Sequence, residues 1–143
     1  MTAPPSHFEQ LGGADGIRAL VDRFYDLMDT APEARDIRAL HARELRQSRD
    51  RLTWFLSGWT GGPPLFIEHR GQPMLRARHL PFPIASRERD AWLWCMNRAL
   101  DAHEMPDDLR AFLKGRFAAL ADHMRNRPDD VVFPDDAPAR PAD

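Results

Sequence analysis

Cysteine is almost absent from this chain. Cys95 is the only cysteine among 143 residues, which excludes an internal disulfide and any zinc site built from several cysteines. No apolar run approaches the roughly 18 residues that a membrane helix needs. Residues 1–6 also lack the basic and apolar regions of a secretory signal peptide. We therefore expect a soluble, cytoplasmic protein that does not span a membrane.

An excess of charge of one sign is also missing. The chain has 20 Lys and Arg against 22 Asp and Glu, a formal net charge of −2 at pH 7, so nucleic acid and membrane surfaces are not favoured as partners. Catalytic motifs built from protein groups alone are absent too, including the His-Glu-x-x-His zinc motif, the Walker phosphate loop and the Gly-x-Ser-x-Gly elbow. The six histidines are scattered, which disfavours a structural zinc site.

Helical periodicity is what the chain does contain. Its length suits one domain, and 43% hydrophobic residues suffice for a core. Apolar positions recur at helical spacing in four long segments, with no strand alternation of note. We predict Asp15 and Ser86 as helix N-caps, and Phe112 and Phe117 on the buried face of the last helix. Boundaries follow from composition: an N-terminal extension over 1–7, an all-α domain over 8–127, and a mobile, acidic, proline-rich tail over 128–143.

The short basic segment that ends at His79 carries the most informative chemistry. Pro81 and Pro83 force the chain out of the helix directly after this histidine. An imidazole offers one nitrogen to a metal and one N–H to an acceptor. A porphyrin supplies four iron ligands, so one histidine completes a haem site. Taken alone, His79 also fits a solvated basic face, and His41 fits a solvated corner.

Four segments in order, over about residues 8–125, resemble the truncated haemoglobins of group II. They contain Phe24-Tyr25, then Trp59-Thr60-Gly61-Gly62-Pro63, then Arg78-His79-Leu80-Pro81, and finally Trp92 within 88–96. The resemblance implies a shortened globin in which two helix pairs form a two-over-two sandwich around haem b.

The resemblance also implies a role for each matching position. His79 matches the proximal histidine that binds iron, and Ser48 stands where ordinary globins have the distal histidine. Ser48 is too short to be the main donor to a ligand, whereas His41 could bind iron or change charge with pH. The implied distal pocket is Tyr25, His41, Ser48, Leu52, Phe55 and Trp92. Further cofactor contacts are implied for Arg51 and Arg78, which would reach the propionates, and for Phe24, Phe82, Ile84 and Met96.

Three functions remain open at this point. The first is reversible binding of oxygen and other small diatomic ligands, with tight retention through hydrogen bonds. The second is enzymatic peroxide reduction or nitric oxide oxidation at the same iron, served by an unidentified reductase. The third is a cofactor-free helical interaction module. We expect a monomer or a weak homodimer.

Overall fold

Helices make up all the regular structure in the part of the chain that the computed structural model describes, residues 3–129. This confirms the all-α prediction. No helix in this range is long and apolar enough to cross a membrane. The predicted tail lies outside the described residues, apart from its first two positions. In chain order the elements are α1 (His7–Gln10), α2 (Gly13–Thr30), a 3-10 turn (Pro32–Ala34), α3 (Arg35–Arg38), α4 (Arg46–Trp59), α5 (Leu65–Arg70), α6 (Leu75–His79), α7 (Ser86–Asp101) and α8 (Asp107–His123).

Two of the predicted helix starts are shifted by a few residues. Gly12, with a φ of 104°, is the N-cap of α2, and Asp15 lies in the first turn, where its charge still favours the positive helix end. Ser86 is the first residue of α7 rather than its N-cap. The backbone N–H of Ala85 donates to the Glu88 carboxylate at 2.8 Å. Burial raises the pKa of Glu88, but the Ala85 bond and Arg87 outweigh it and leave this pKa lowered.

The core lies where α2 contacts both α4 and α7, and where α7 contacts α8. Phe117 is 2% exposed and belongs to this core, as predicted. Phe112 is not buried, since it is 45% exposed and lies against the His7 ring at a centroid distance of 5.2 Å. The largest fully buried side chains are Ile17, Leu20, Val21, Phe24, Met28, Leu56, Cys95, Met96, Leu100, Leu113 and Phe117.

A close backbone approach joins α1 to α2. A Cβ on Gly16 would lie 1.9 Å from the backbone oxygen of Leu11. That oxygen also lies 2.7 Å from Nε2 of His103, so the corner is tied to the end of α7. Only glycine fits at position 16 without a backbone shift.

Ion pairs join α2 to α4 across their outer edge. Arg49 on α4 contacts Asp22 at 3.0 Å and Asp26 at 2.8 Å, both on α2. Arg18 on α2 contacts Asp50 on α4 at 2.8 Å. The two helices are therefore cross-linked in both directions, each donating an arginine to carboxylates of the other.

Candidate functional site

His79 is the last residue of α6, and its ring orientation is fixed by the helix itself. Nδ1 lies 2.6 Å from the backbone oxygen of Leu75. A carbonyl oxygen can only accept, so Nδ1 carries the proton. Nε2 therefore has a bare lone pair and no hydrogen-bond partner among the described residues. This is the tautomer in which a histidine binds a metal.

Tyr25 on α2 is a buried donor without an acceptor. It is 5% exposed, and its hydroxyl makes no hydrogen bond within residues 3–129. Burial raises the pKa of Tyr25 well above its ordinary value, although the charges of Arg51 and Arg49 oppose this. The phenol is therefore neutral over the physiological range and keeps its proton for donation.

His41 faces Tyr25 from the corner after α3. The two rings are 5.8 Å apart and nearly perpendicular. Nδ1 of His41 lies 2.9 Å from the backbone oxygen of Ile37, so its Nε2, like that of His79, is bare. Burial is the main reason that the pKa of His41 is lowered, and the charges of Arg38, His79 and Arg51 add to this. His41 is thus half-buried rather than a solvated corner residue.

Trp92 on α7 joins this group through Phe24. The Phe24 ring lies 4.8 Å from Tyr25 and 5.0 Å from Trp92. Trp92 also packs against Phe117 of α8, at 5.7 Å. Its indole N–H makes no hydrogen bond to any described residue. Three helices therefore hold the tyrosine and the tryptophan in one aromatic cluster, each with a free donor.

The predicted distal residues of α4 lie beside this cluster. Leu52 and Phe55 are partly buried and pack against the core, while Ser48 is 4% exposed. Arg51 is half-buried, and its charge acts on both Tyr25 and His41. Unlike Arg49, Arg51 has no ion pair among the described residues. It is a cation available to an anion at the edge of the site.

Arg78 forms hydrogen bonds with its own segment of the chain. Its Nε donates to the backbone oxygen of Pro73 at 2.6 Å, and Nη2 donates to those of Arg70 and Gln72, each at 3.1 Å. The guanidinium also lies over the Phe66 ring, 5.2 Å from its centroid. These contacts connect Arg78 to the loop before α6, and its contact with a propionate stays a prediction.

The remaining residues that were predicted to contact the cofactor differ in how deeply they are buried. Phe82, three residues after His79, is 44% exposed, while Ile84 is 7% exposed. Phe24 and Met96 are completely enclosed at 0% exposure. Complete burial indicates that these two support the site wall from behind, and their direct contact with a cofactor stays a prediction.

This arrangement matches a haem site in the chemistry of its donors. Within residues 3–129 no group of three His, Cys, Asp or Glu side chains could hold a metal ion. The chain instead offers the bare Nε2 atoms of His79 and His41, and His79 is followed directly by exposed apolar side chains such as Leu80 and Phe82. Arg51, which has no ion pair among the described residues, and the neutral donors of Tyr25 and Trp92 complete the set of groups. A flat apolar anion that brings its own equatorial iron ligands fits this set.

Comparison with known proteins identifies the family. The model of the bacterial-like globin family matches residues 6–126. The chain belongs to the bacterial-like globins. A group 2 truncated haemoglobin of Bacillus subtilis is 40% identical over 115 residues, which are 80% of this chain and 85% of that protein.

Solved structures agree with this truncated globin assignment. The group II two-on-two haemoglobin of Agrobacterium tumefaciens is 41% identical, with a TM-score of 0.86 over 90% of this chain and 98% of that one. The cold-adapted truncated haemoglobin of Pseudoalteromonas haloplanktis TAC125 is 44% identical, with a TM-score of 0.84 over 86% of this chain and 99% of that one. The predicted two-over-two globin fold is confirmed. Membership of the truncated globins implies haem-based binding of small ligands.

Sequence reasoning missed Asn126, which touches the segment that carries His79. Its side chain contacts the backbone of His79, Phe82 and Ile84. These bonds span 42 to 47 residues, and nothing near Asn126 in the sequence signals them. Arg76 also reaches the end of α8, which its place in the basic segment before His79 does not indicate.

Proposed function

We propose that this truncated globin holds haem b through Nε2 of His79 and reversibly binds oxygen and other small diatomic ligands with tight retention. The observation that carries the proposal is the pairing of a bare Nε2 on His79 with two unpaired neutral donors, Tyr25 and Trp92. Arg51, the unpaired cation of the site, is the proposed partner of a propionate.

Haem, when bound, supplies a ferrous iron that binds a diatomic ligand and leaves negative charge on the outer ligand atom. The Tyr25 O–H and the Trp92 N–H can each donate a hydrogen bond to that charge. Such a charge-assisted bond contributes about 1.5–3 kcal/mol, which slows ligand loss by roughly ten- to a hundredfold per donor. Two donors favour retention over rapid release.

His41 has a supporting part in this proposal. With Nδ1–H bonded to Ile37, its Nε2 can accept from Tyr25 but cannot donate to a ligand while His41 is neutral. Because burial lowers the pKa of His41, the neutral form prevails at pH 7. Neutral His41 therefore donates no hydrogen bond to the ligand, and Tyr25 and Trp92 remain the two donors.

A relative supports the retention part of the proposal. The solved truncated haemoglobin of Bacillus subtilis is oxygen-avid, and this chain is 39% identical to it over the whole of that protein, with a TM-score of 0.76. High avidity is the behaviour that two donors facing one anionic ligand atom produce.

Replacing His79 with glycine tests the iron ligand. We expect His79→Gly to lose stable haem binding in the absorption spectrum and to regain it when free imidazole is added. The matched control is His69→Gly, since the His69 ring stacks on Trp54 at 4.0 Å and lies outside the site. A wild-type Soret band and wild-type haem retention in His79→Gly would refute the assignment.

A further inference from the structure

The helix that carries His79 is short and has no fully buried residue. None of the five residues of α6, Leu75–His79, is buried, although α2, α4, α7 and α8 all bury apolar side chains. An element this short has few helical hydrogen bonds of its own, and its last carbonyl groups need partners from elsewhere. The polar contacts of α6 therefore decide where His79 lies.

Asn126, just after α8, provides contacts to the end of α6. Its Nδ2 donates to the backbone oxygen of His79 at 3.1 Å and to that of Phe82 at 2.8 Å. Its Oδ1 accepts from the backbone N–H of Ile84 at 3.0 Å, and its own backbone N–H donates to the Ile84 oxygen at 2.9 Å. Both amide protons are used, and the partners fix the orientation of the amide.

Arg76 fastens the same helix to the same place. Its Nη1 donates to the backbone oxygen of His123 at 2.6 Å and to that of Arg125 at 2.8 Å. Arg76 lies one turn before His79, so α6 is anchored to the end of α8 both in its first turn and at its last residue. The carbonyl of His79 itself accepts two bonds, from Asn126 and from the Phe82 N–H at 2.9 Å.

From the contacts that Asn126 and Arg76 make between α6 and the end of α8 we infer that Asn126 is a positioning residue for the proximal histidine. It sets the backbone of His79 and of the two residues that bound the next turn, Phe82 and Ile84. The Leu75 carbonyl then sets the rotation of the ring, and together they aim Nε2. The inference rests on the proposed function, because it assumes that Nε2 of His79 binds the haem iron.

The decisive variant is Asn126→Asp, which keeps the shape of the side chain and the acceptor for Ile84. It replaces the two donated protons with an oxygen that faces the carbonyls of His79 and Phe82. Asn126→Ala serves as a second variant if the aspartate protein does not accumulate. The matched control is Arg89→Ala, which breaks an ion pair with Asp122 on α8 but no contact with α6 or the turn after it.

The measurements are the iron–histidine stretching band of the ferrous, ligand-free protein by resonance Raman spectroscopy, and the rate of haem transfer to an apo-globin acceptor. We expect both Asn126 variants to displace and broaden the band and to accelerate haem transfer about three- to tenfold, the equivalent of one hydrogen bond. Arg89→Ala should keep the wild-type band. A loss of thermal stability alone does not move this band.

Three results would overturn the inference. A wild-type band in both Asn126 variants would mean that His79 is aimed without Asn126. An equal displacement of the band in Arg89→Ala would mean that any loss of contacts near the end of α8 has the same effect. A wild-type protein that binds haem but lacks an iron–histidine band would instead refute the ligation by His79, and the inference with it.

Discussion

Replacing Tyr25 with phenylalanine should weaken ligand retention and leave folding stability almost unchanged. The hydroxyl is the only group removed, so the ring contacts with Phe24 and His41 remain. The side chain is 5% exposed, and its hydroxyl has no hydrogen-bond partner among the described residues. The hydroxyl therefore adds little to folding stability, whereas it stabilises a bound ligand.

The magnitudes follow from these surroundings. A hydrogen bond to an anionic ligand atom contributes about 1.5–3 kcal/mol, so Tyr25→Phe should release oxygen roughly ten- to a hundredfold faster. The free energy of unfolding of the ligand-free variant should stay close to that of the wild type, because the substitution breaks no hydrogen bond among the described residues.

Stopped-flow oxygen dissociation and urea unfolding of the ligand-free protein measure the two effects. The matched control is Thr30→Val, which removes a hydroxyl from the same helix, where it donates to the Asp26 carbonyl at 2.8 Å, away from the site. Thr30→Val should leave oxygen dissociation unchanged. An oxygen dissociation rate within about twofold of wild type in Tyr25→Phe would refute the reasoning, because it is well short of one charge-assisted bond.

Three further predictions concern other parts of the molecule. Because burial lowers the pKa of His41, its contribution to stability is complete above about pH 6.5 and is lost as the pH falls below that value; His41→Phe should flatten this acid-side loss in urea unfolding measured across pH. Arg51→Glu should speed haem transfer to an apo-globin by up to about fivefold, since a partly exposed ion pair contributes about 0–1 kcal/mol, and an unchanged rate would count against the propionate contact. Gly16→Ala should lower the free energy of unfolding by about 1–3 kcal/mol, because the added Cβ would lie 1.9 Å from the Leu11 oxygen. Wild-type stability of this variant would show that the backbone between α1 and α2 moves to make room at no cost.

The fold was largely predictable because its signals are local. Apolar positions at helical spacing identified the long helices, and Gly71 ends α5 as a glycine at that position predicts. Phe112 shows the limit of such patterns. It shares the spacing of the buried residues of α8, yet no element covers it, and its ring lies near His7 and the Arg116 guanidinium on the surface. Periodicity indicates a face, whereas burial depends on what packs against that face.

The site was less predictable because its contacts are not local. The burial of His41 depends on the packing of the corner that follows α3, which the residues around it do not reveal. The hydrogen bonds of Arg78 to the carbonyls of its own loop also had no signal in the sequence. Nothing in the sequence indicated the hydrogen bonds of Asn126, because its partners lie more than 40 residues earlier in the chain.

The contacts that hold α2 and α4 together differ in kind from those that hold α6. Arg18 and Arg49 form ion pairs between the outer edges of α2, which carries Tyr25, and α4, which carries Arg51. The inner faces of both helices pack in the core. By contrast, α6 has no buried residue and is joined to the end of α8 by the hydrogen bonds of Arg76 and Asn126. We expect a displacement imposed at His79 to move α6 relative to α8 more readily than it moves α2 relative to α4.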